Sequence, residues 1–350
     1  MFEDAEHDAS SDGSTLGRKT ALVTGSVALG AIVTGSLFRR IRRLKLTSPS
    51  DLESALDAEL KTMEIMEGRT RFYAREGTGA PLVLLHSVNA AASSYEMKPI
   101  YDHFAAHTER PIYALEWFGF GRSERPPVRY SAAVYQRQLR RFLSEQVHQP
   151  ADIIALSLSS EYAAHIARSF PYLVRRMVLI GPTGLSNDRP SPVWKRAAIA
   201  AADSIGAFEM LYYKLTRRDV LRRFYQRQVF RSGDVPENIV DYAVKTTGVQ
   251  GAYHAPRYFV QGLLSSGSAA KQAYASLRVP TLIVVPKISE GLVQQFDGLD
   301  ELARRNGDHL SIKRISGGLL PQWESPEPFF EAVDAFIGAR STSLSRREQT

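Results

Sequence analysis

Residues 153–161 read Ile153-Ile154-Ala155-Leu156-Ser157-Leu158-Ser159-Ser160-Glu161. Four consecutive apolar residues predict a short strand covered on both faces, because a run without polar alternation has no side to turn to water. From Glu161 to Ser169 the pattern becomes helical. Ser157 therefore falls on the turn from a buried strand into a helix. Its flanks at two residues' distance, Ala155 and Ser159, are small enough to allow a tight one.

The same signature recurs on both sides. Residues 82–85 (LVLL), 112–115 (IYAL), 177–180 (MVLI) and 282–285 (LIVV) are continuously apolar, and 312–315 (IKRI) reads as a last strand. A two-stranded start is expected ahead of these, with 69–75 as strand and Gly77-Thr78-Gly79 as turn. Helical patterns occupy 130–146, 161–169 and 328–337. Strands alternating with helices predict an α/β fold, a mostly parallel sheet with helices on both faces. Between Gly184 and Ser276 the strand signal stops, and about 90 residues rich in Arg and Tyr read as an inserted helical cap.

Towards the N-terminus, residues 20–38 (TALVTGSVALGAIVTGSLF) carry no charge. At 1.5 Å per residue such a helix spans about 28 Å, close to the ~30 Å hydrocarbon core of a bilayer. Arg39, Arg40, Arg42 and Arg43 follow it, so one transmembrane helix is expected, with anionic lipid headgroups against those arginines. The positive-inside rule then places the domain that follows in the cytoplasm, a single-pass topology. Small residues at i, i+4 (Ala21/Gly25, Ser26/Gly30, Ala31/Gly35) would let two such helices pair as a homodimer. Ser50-Asp51-Leu52-Glu53 has the form of a capping box ahead of Leu52, Leu56 and Leu60, which predicts a linker helix over 51–63. The expected organisation is an acidic polar tail (1–19), a transmembrane helix (20–38) and a basic juxtamembrane segment with linker helix (39–63). The first part of the core (64–184), the cap (185–276), the second part of the core (277–340) and a flexible tail (341–350) complete it.

Composition narrows the chemistry. With 44% hydrophobic and 23% charged residues the chain can bury a large core. The net charge of +7 is concentrated beside the apolar N-terminal run, and no nucleic-acid motif accompanies it. The absence of cysteine excludes disulfides, thiolate catalysis and cysteine-ligated zinc. There is no metal-ligand spacing, no P-loop and no GxGxxG after a strand, so neither metal nor cofactor is expected.

Five blocks in order carry a resemblance. Leu84-Leu85-His86-Ser87 is similar to LLHG. Glu116-Trp117-Phe118-Gly119-Phe120-Gly121-Arg122-Ser123 is similar to DxPGxGxS. Ala155-Leu156-Ser157-Leu158-Ser159 stands where GxSxG belongs. Val279-Pro280-Thr281-Leu282 opens the strand that leads to an acid. Gly318 to Glu327 (GLLPQWESPE) is similar to GHxPxxExPE. From Glu64 to Arg340 the chain thus resembles the cap-bearing branch of the α/β-hydrolase superfamily. The resemblance implies that Ser157 occupies the catalytic nucleophile elbow, that the backbone N–H groups of Val88 and Leu158 form the oxyanion hole, and that His86 braces a loop. It also marks departures. Leu319 stands where the general-base histidine belongs, Pro286-Lys287-Ile288-Ser289 stands where the acid belongs, and Ser87 replaces a glycine. A serine hydroxyl is a weak nucleophile without a neighbouring base. Of the eight histidines, His254 in the cap is the candidate substitute, with Lys287 as a second. His86, Ser87, Trp117, His254 and Leu319 are expected to line the pocket, with Trp194 near its mouth.

Three readings stay open on sequence alone. The first is a membrane-anchored pseudoenzyme that binds a small apolar ligand or partner. The second is a membrane-attached serine hydrolase with an unusual base. The third is a dimerising membrane scaffold.

Overall fold

The apolar runs form the centre of an eight-stranded sheet. Its strands are β1 (Glu59–Ile65), β2 (Gly68–Arg75), β3 (Leu82–Leu85), β4 (Ile112–Leu115), β5 (Ala151–Leu156), β6 (Val174–Ile180), β7 (Thr281–Pro286) and β8 (Leu310–Ile315). The structure, a computed structural model, describes residues 46–185, 192–204, 206–292, 294, 296 and 298–338. The spatial order is β1-β2-β4-β3-β5-β6-β7-β8. β1 and β2 form an antiparallel hairpin, β2 runs antiparallel to β4, and all other pairs are parallel.

Successive residues of the central strands face two different cores. Val83, Leu85, Ile153, Ala155, Met177 and Leu179 pack into one. Leu82, Leu84, Ile154, Leu156, Val178 and Ile180 pack into the other. The first core is closed by α2 (Ala132–Phe142) and α3 (Ser159–Ser169), the second by α1 (Lys98–His107) and the C-terminal helix. Covering both faces is what an all-apolar strand requires. Among the described residues six helices, α4 (Val193–Ser204), α5 (Ala207–Leu215), α6 (Arg218–Phe224), α7 (Glu237–Thr247), α8 (His254–Val260) and α9 (Ser268–Ala275), lie between β6 and β7 and form the cap. The chain closes with α10 (Leu299–Asn306), β8, α11 (Pro321–Glu324) and α12 (Pro326–Ile337).

Two expectations are corrected. The linker helix over 51–63 does not form: Pro49–Asp51 is a single 3-10 turn, and Glu59–Ile65 is a strand. Leu52, Ala55 and Leu56 are buried in irregular chain, where the Ala55 N–H donates to the Tyr73 hydroxyl at 2.9 Å. Pairing with β2 thus overrides a short i, i+4 leucine pattern. The transmembrane helix is the second. Among the described residues no helix is long and apolar enough to cross a membrane. The longest there, α4 and α12, have 12 residues, a rise of about 18 Å against a ~30 Å core. Residues 20–38 and the arginines at 39–43 lie outside the described residues. The described fold holds no membrane helix. It therefore supplies no bilayer anchor, and with that the expected headgroup contacts of Arg39, Arg40, Arg42 and Arg43 and the single-pass placement lose their basis.

Candidate functional site

β5 ends at Leu156 and the chain reverses at Ser157, whose φ of +55° lies in the left-handed region. For a residue with a Cβ this costs roughly 1–3 kcal/mol and persists only where neighbours impose it. Here the Ser157 N–H donates to the Ile180 carbonyl at 2.8 Å, and the Ser157 carbonyl accepts from the Ser160 N–H at 3.0 Å to start α3. Ala155 and Ser159 are fully buried beneath the turn, so small flanks are a packing requirement. The Ser159 hydroxyl donates to the His86 carbonyl, and the Trp117 indole N–H bonds both that carbonyl (3.0 Å) and the Ser159 oxygen (2.8 Å). The loop after β3 is thereby fastened to the first turn of α3. Trp117 has no exposed surface and braces the elbow from below, instead of lining a pocket mouth. It follows β4, the strand beside β3, and so reaches the underside of both loops. Trp194, by contrast, is 73% exposed on α4.

His86 uses both ring nitrogens. Its Nδ1–H donates to the Ser87 carbonyl at 2.6 Å, and Nε2 accepts from the Trp117 N–H at 3.2 Å, with the Glu116 carboxylate 3.4 Å away. It positions a loop and has no nitrogen left for proton transfer. Ser87 is turned towards Glu96. Its hydroxyl and its N–H both donate to the buried Glu96 carboxyl at 2.9 Å. The Asn89 amide joins them, donating to the Ser87 oxygen at 2.7 Å. Burial pushes the Glu96 carboxyl above its usual range, and the bonds from Ser87 and Asn89 oppose that shift. Val88 and Leu158, on the two fastened loops, are 1% and 3% exposed.

The surroundings of the Ser157 hydroxyl decide its chemistry. A Cβ built on Gly181, next to Ile180, would meet Gln294 Oε1 at 3.5 Å, Phe296 Cζ at 3.7 Å and Leu319 Cδ2 at 3.9 Å. These three side chains converge beside Gly181. The Gln294 amide Nε2 donates to Ser157 Oγ at 3.4 Å, and among the described residues no imidazole bonds that oxygen.

Residues 82–332 match the alpha/beta hydrolase family. The chain belongs to that family. Human 1-acylglycerol-3-phosphate O-acyltransferase ABHD5 is 28% identical over 193 residues, which cover 49% of this chain and 54% of that protein. The uncharacterized protein Rv2715 of Mycobacterium tuberculosis is 26% identical over 123 residues, 35% of each chain. The chain thus spans about half the length, or less, of these curated relatives. Among solved structures, the epoxide hydrolase CorEH superposes with a TM-score of 0.63 at 17% identity, covering 81% of this chain and 99% of that one. A membrane phospholipase A superposes with 0.61 at 16% identity, covering 93% and 98%. At these identities the likeness is one of fold.

In this alpha/beta hydrolase the loop that carries Leu319 is clamped to the cap. The Leu319 N–H donates to the Val229 carbonyl at 2.8 Å, and a Cβ on Gly318 would stand 1.9 Å from that same oxygen. The Glu324 carboxylate accepts from the N–H groups of Gly318 (2.5 Å), Arg231 (2.8 Å) and Ser232 (2.5 Å). Leu319 itself is 7% exposed.

The substitute bases are not brought to the serine. His254 Nδ1 is bonded to the Arg125 carbonyl at 2.6 Å, and its ring packs on Tyr253. With Arg125, Gln250 and Tyr253 it lines a separate cavity of about 650 Å³. Burial holds its pKa down. Lys287 is exposed beyond β7, where its N–H donates to the Ile315 carbonyl. Among the other described histidines, His103 pairs with Asp334, His107 bonds the His103 carbonyl, and His148 and His309 are exposed. Gln294 and Glu96 escaped sequence reasoning. Gln294 lies in irregular chain after β7 with no periodicity to mark it. The one available signal for Glu96 was a carboxylate nine residues after a serine that replaces a loop glycine.

Proposed function

We propose that this alpha/beta hydrolase family member holds a small apolar ligand at its elbow and does not run the Ser-His-acid mechanism. The observation that carries this reading is the neighbourhood of Ser157: an amide donor from Gln294 on its oxygen, and Leu319 with Phe296 beside Gly181. Neither an amide nor an isobutyl group accepts a proton at neutral pH, so the hydroxyl keeps its hydrogen. Loss of the base alone costs about 10⁶ in turnover in a serine protease, nearly as much as loss of all three triad groups. Pro286 and Lys287, at the position of the acid, offer no carboxylate. An aliphatic acyl group is the ligand class, supported by the buried apolar side chains beside the elbow. It is supported too by the acyl chemistry in the name of the human relative.

The test is turnover of p-nitrophenyl butyrate by the full chain. Wild type and Ser157→Ala are expected to give the same background rate. A wild-type rate that falls a hundredfold or more in Ser157→Ala would establish a working serine hydrolase instead.

A further inference from the structure

We propose that residues 20–38, the uncharged run outside the described residues, dock on the outer face of the α4–α5 hairpin in the cap. That face is apolar where a helix at a protein surface normally turns polar side chains to water. On α5, Phe208, Tyr212 and Tyr213 are buried, while Met210, Leu211 and Leu215 are exposed and share one stripe with Lys214. On α4, Val193 and Trp194 are strongly exposed, and Ala197, Ala198, Ala200 and Ala201 are exposed as well. The hairpin rests on a small cluster of its own, Phe208, Tyr212, Tyr213 and Ala252, outside the two main cores. An exposed apolar surface of this kind marks a place that something covers.

The place where the chain enters the described structure names the occupant. Leu46, the first described residue, packs against that same small cluster under α5. Thr47 fixes the entry: its N–H donates to the Gly248 carbonyl at 3.2 Å, and its carbonyl accepts from the Gln250 N–H at 2.9 Å. Phe38 stands eight residues before Leu46. The chain between them can span up to about 28 Å, against a length of ~18 Å for α4, so the run can reach all of the hairpin. Charge agrees with this path. The joining stretch, residues 39–45 (RRIRRLK), is basic, and the cavity that Leu46 lines carries the carboxyls of Glu124 and Glu209. Arg125 in the same wall is engaged elsewhere, its guanidinium donating to the Gly121 and Thr246 carbonyls. A short tether holds the run at an effective concentration on the order of mM, which favours it over a second copy of the chain. Docking removes two apolar surfaces from water at once.

The chain has no cysteine, so two introduced thiols react without competition. The experiment treats the full chain, carrying Ala198→Cys with Leu22→Cys, Leu29→Cys or Ser36→Cys, with a bismaleimide that reaches ~11 Å, two helical turns. Intact mass separates a bridge within one chain from a covalent dimer. At least one of the three pairs is expected to bridge within the chain. Adding Met210→Glu and Leu211→Glu is expected to lower that bridging about tenfold, because each would press a carboxylate against the apolar run. Both positions are exposed, so circular dichroism should report an unchanged fold. Bridging that ignores the two glutamates would mark chance encounters of a tethered segment and overturn the docking. No internal bridge from any pair would overturn it as well. Covalent dimers in place of internal bridges would give the face to a second copy. Loss of the bridge, with flotation of the chain on phosphatidylcholine vesicles, would give it to a lipid surface. Either of these results also overturns the proposal.

Discussion

At position 319 an isobutyl group stands where the resemblance places an imidazole, and the backbone there is held against the cap. Gly318 shows why. Its α-carbon passes so close to the Val229 carbonyl that no side chain fits, and the obstacle is backbone, which cannot rotate away. Gly318→Ala is therefore expected to cost about 1–3 kcal/mol or more, read as a lowered urea midpoint at unchanged slope. A loss below about 0.5 kcal/mol would show that the loop and cap can separate. Ser157, Leu319 and Ser87 were legible in the sequence because each stands at a fixed place in a short motif. Gln294 was not, because its role comes from tertiary placement: a loop after β7 folds back over Gly181. Trp117 was misread for a related reason. Its position beside a motif glycine said nothing about which face of the turn its ring would take.

Among the elements, the strands were the easiest to read. Each continuous apolar run became a strand, because burial on two faces leaves one pattern available. β1 was read as part of a helix, since Glu59–Ile65 is an edge strand with a mixed pattern and its partner decides its conformation. The polar end of β5 supplies a quantitative test. Asp152 is 1% exposed and pairs with both Arg110 and Arg175. Burial lowers the Arg110 pKa and the Asp152 bond opposes that shift, so the carboxylate compensates a partly desolvated guanidinium. Asp152→Ala is expected to destabilise the fold by about 3 kcal/mol, since it strands that charge at the base of the sheet. Denaturant unfolding checks this. A change within about 0.5 kcal/mol would mean that solvent already screens the pair.

For the whole molecule, the sequence disclosed a core split by a cap, and the six helices between β6 and β7 occupy that interval. It also led to a membrane span that no described helix provides. An apolar run of the right length is a statement about local composition, and it carried the localisation and lipid partners with it. Glu324 is not alone in tying cap to core by a carboxyl. Glu161 on α3 accepts from Thr183 Oγ1 (2.6 Å), the Ser266 N–H (2.6 Å) and Ser265 Oγ. Burial raises its pKa above the ordinary 4.5, against the pull of those bonds. The folded state thus binds this proton more tightly than the unfolded chain. Its contribution is complete below pH 4.5 and is lost as pH rises through the raised value. Glu161→Gln, which mimics the protonated form, should therefore gain on wild type in Tm as pH goes from 4.5 towards 8. A difference that stays flat would contradict the shift. The central claim, that Ser157 has no base, is reached most directly by intact-protein mass spectrometry after incubation with a fluorophosphonate. Wild type and Ser157→Ala should both keep their unmodified mass. A stoichiometric adduct on wild type that is absent from Ser157→Ala would show a competent nucleophile and contradict the account.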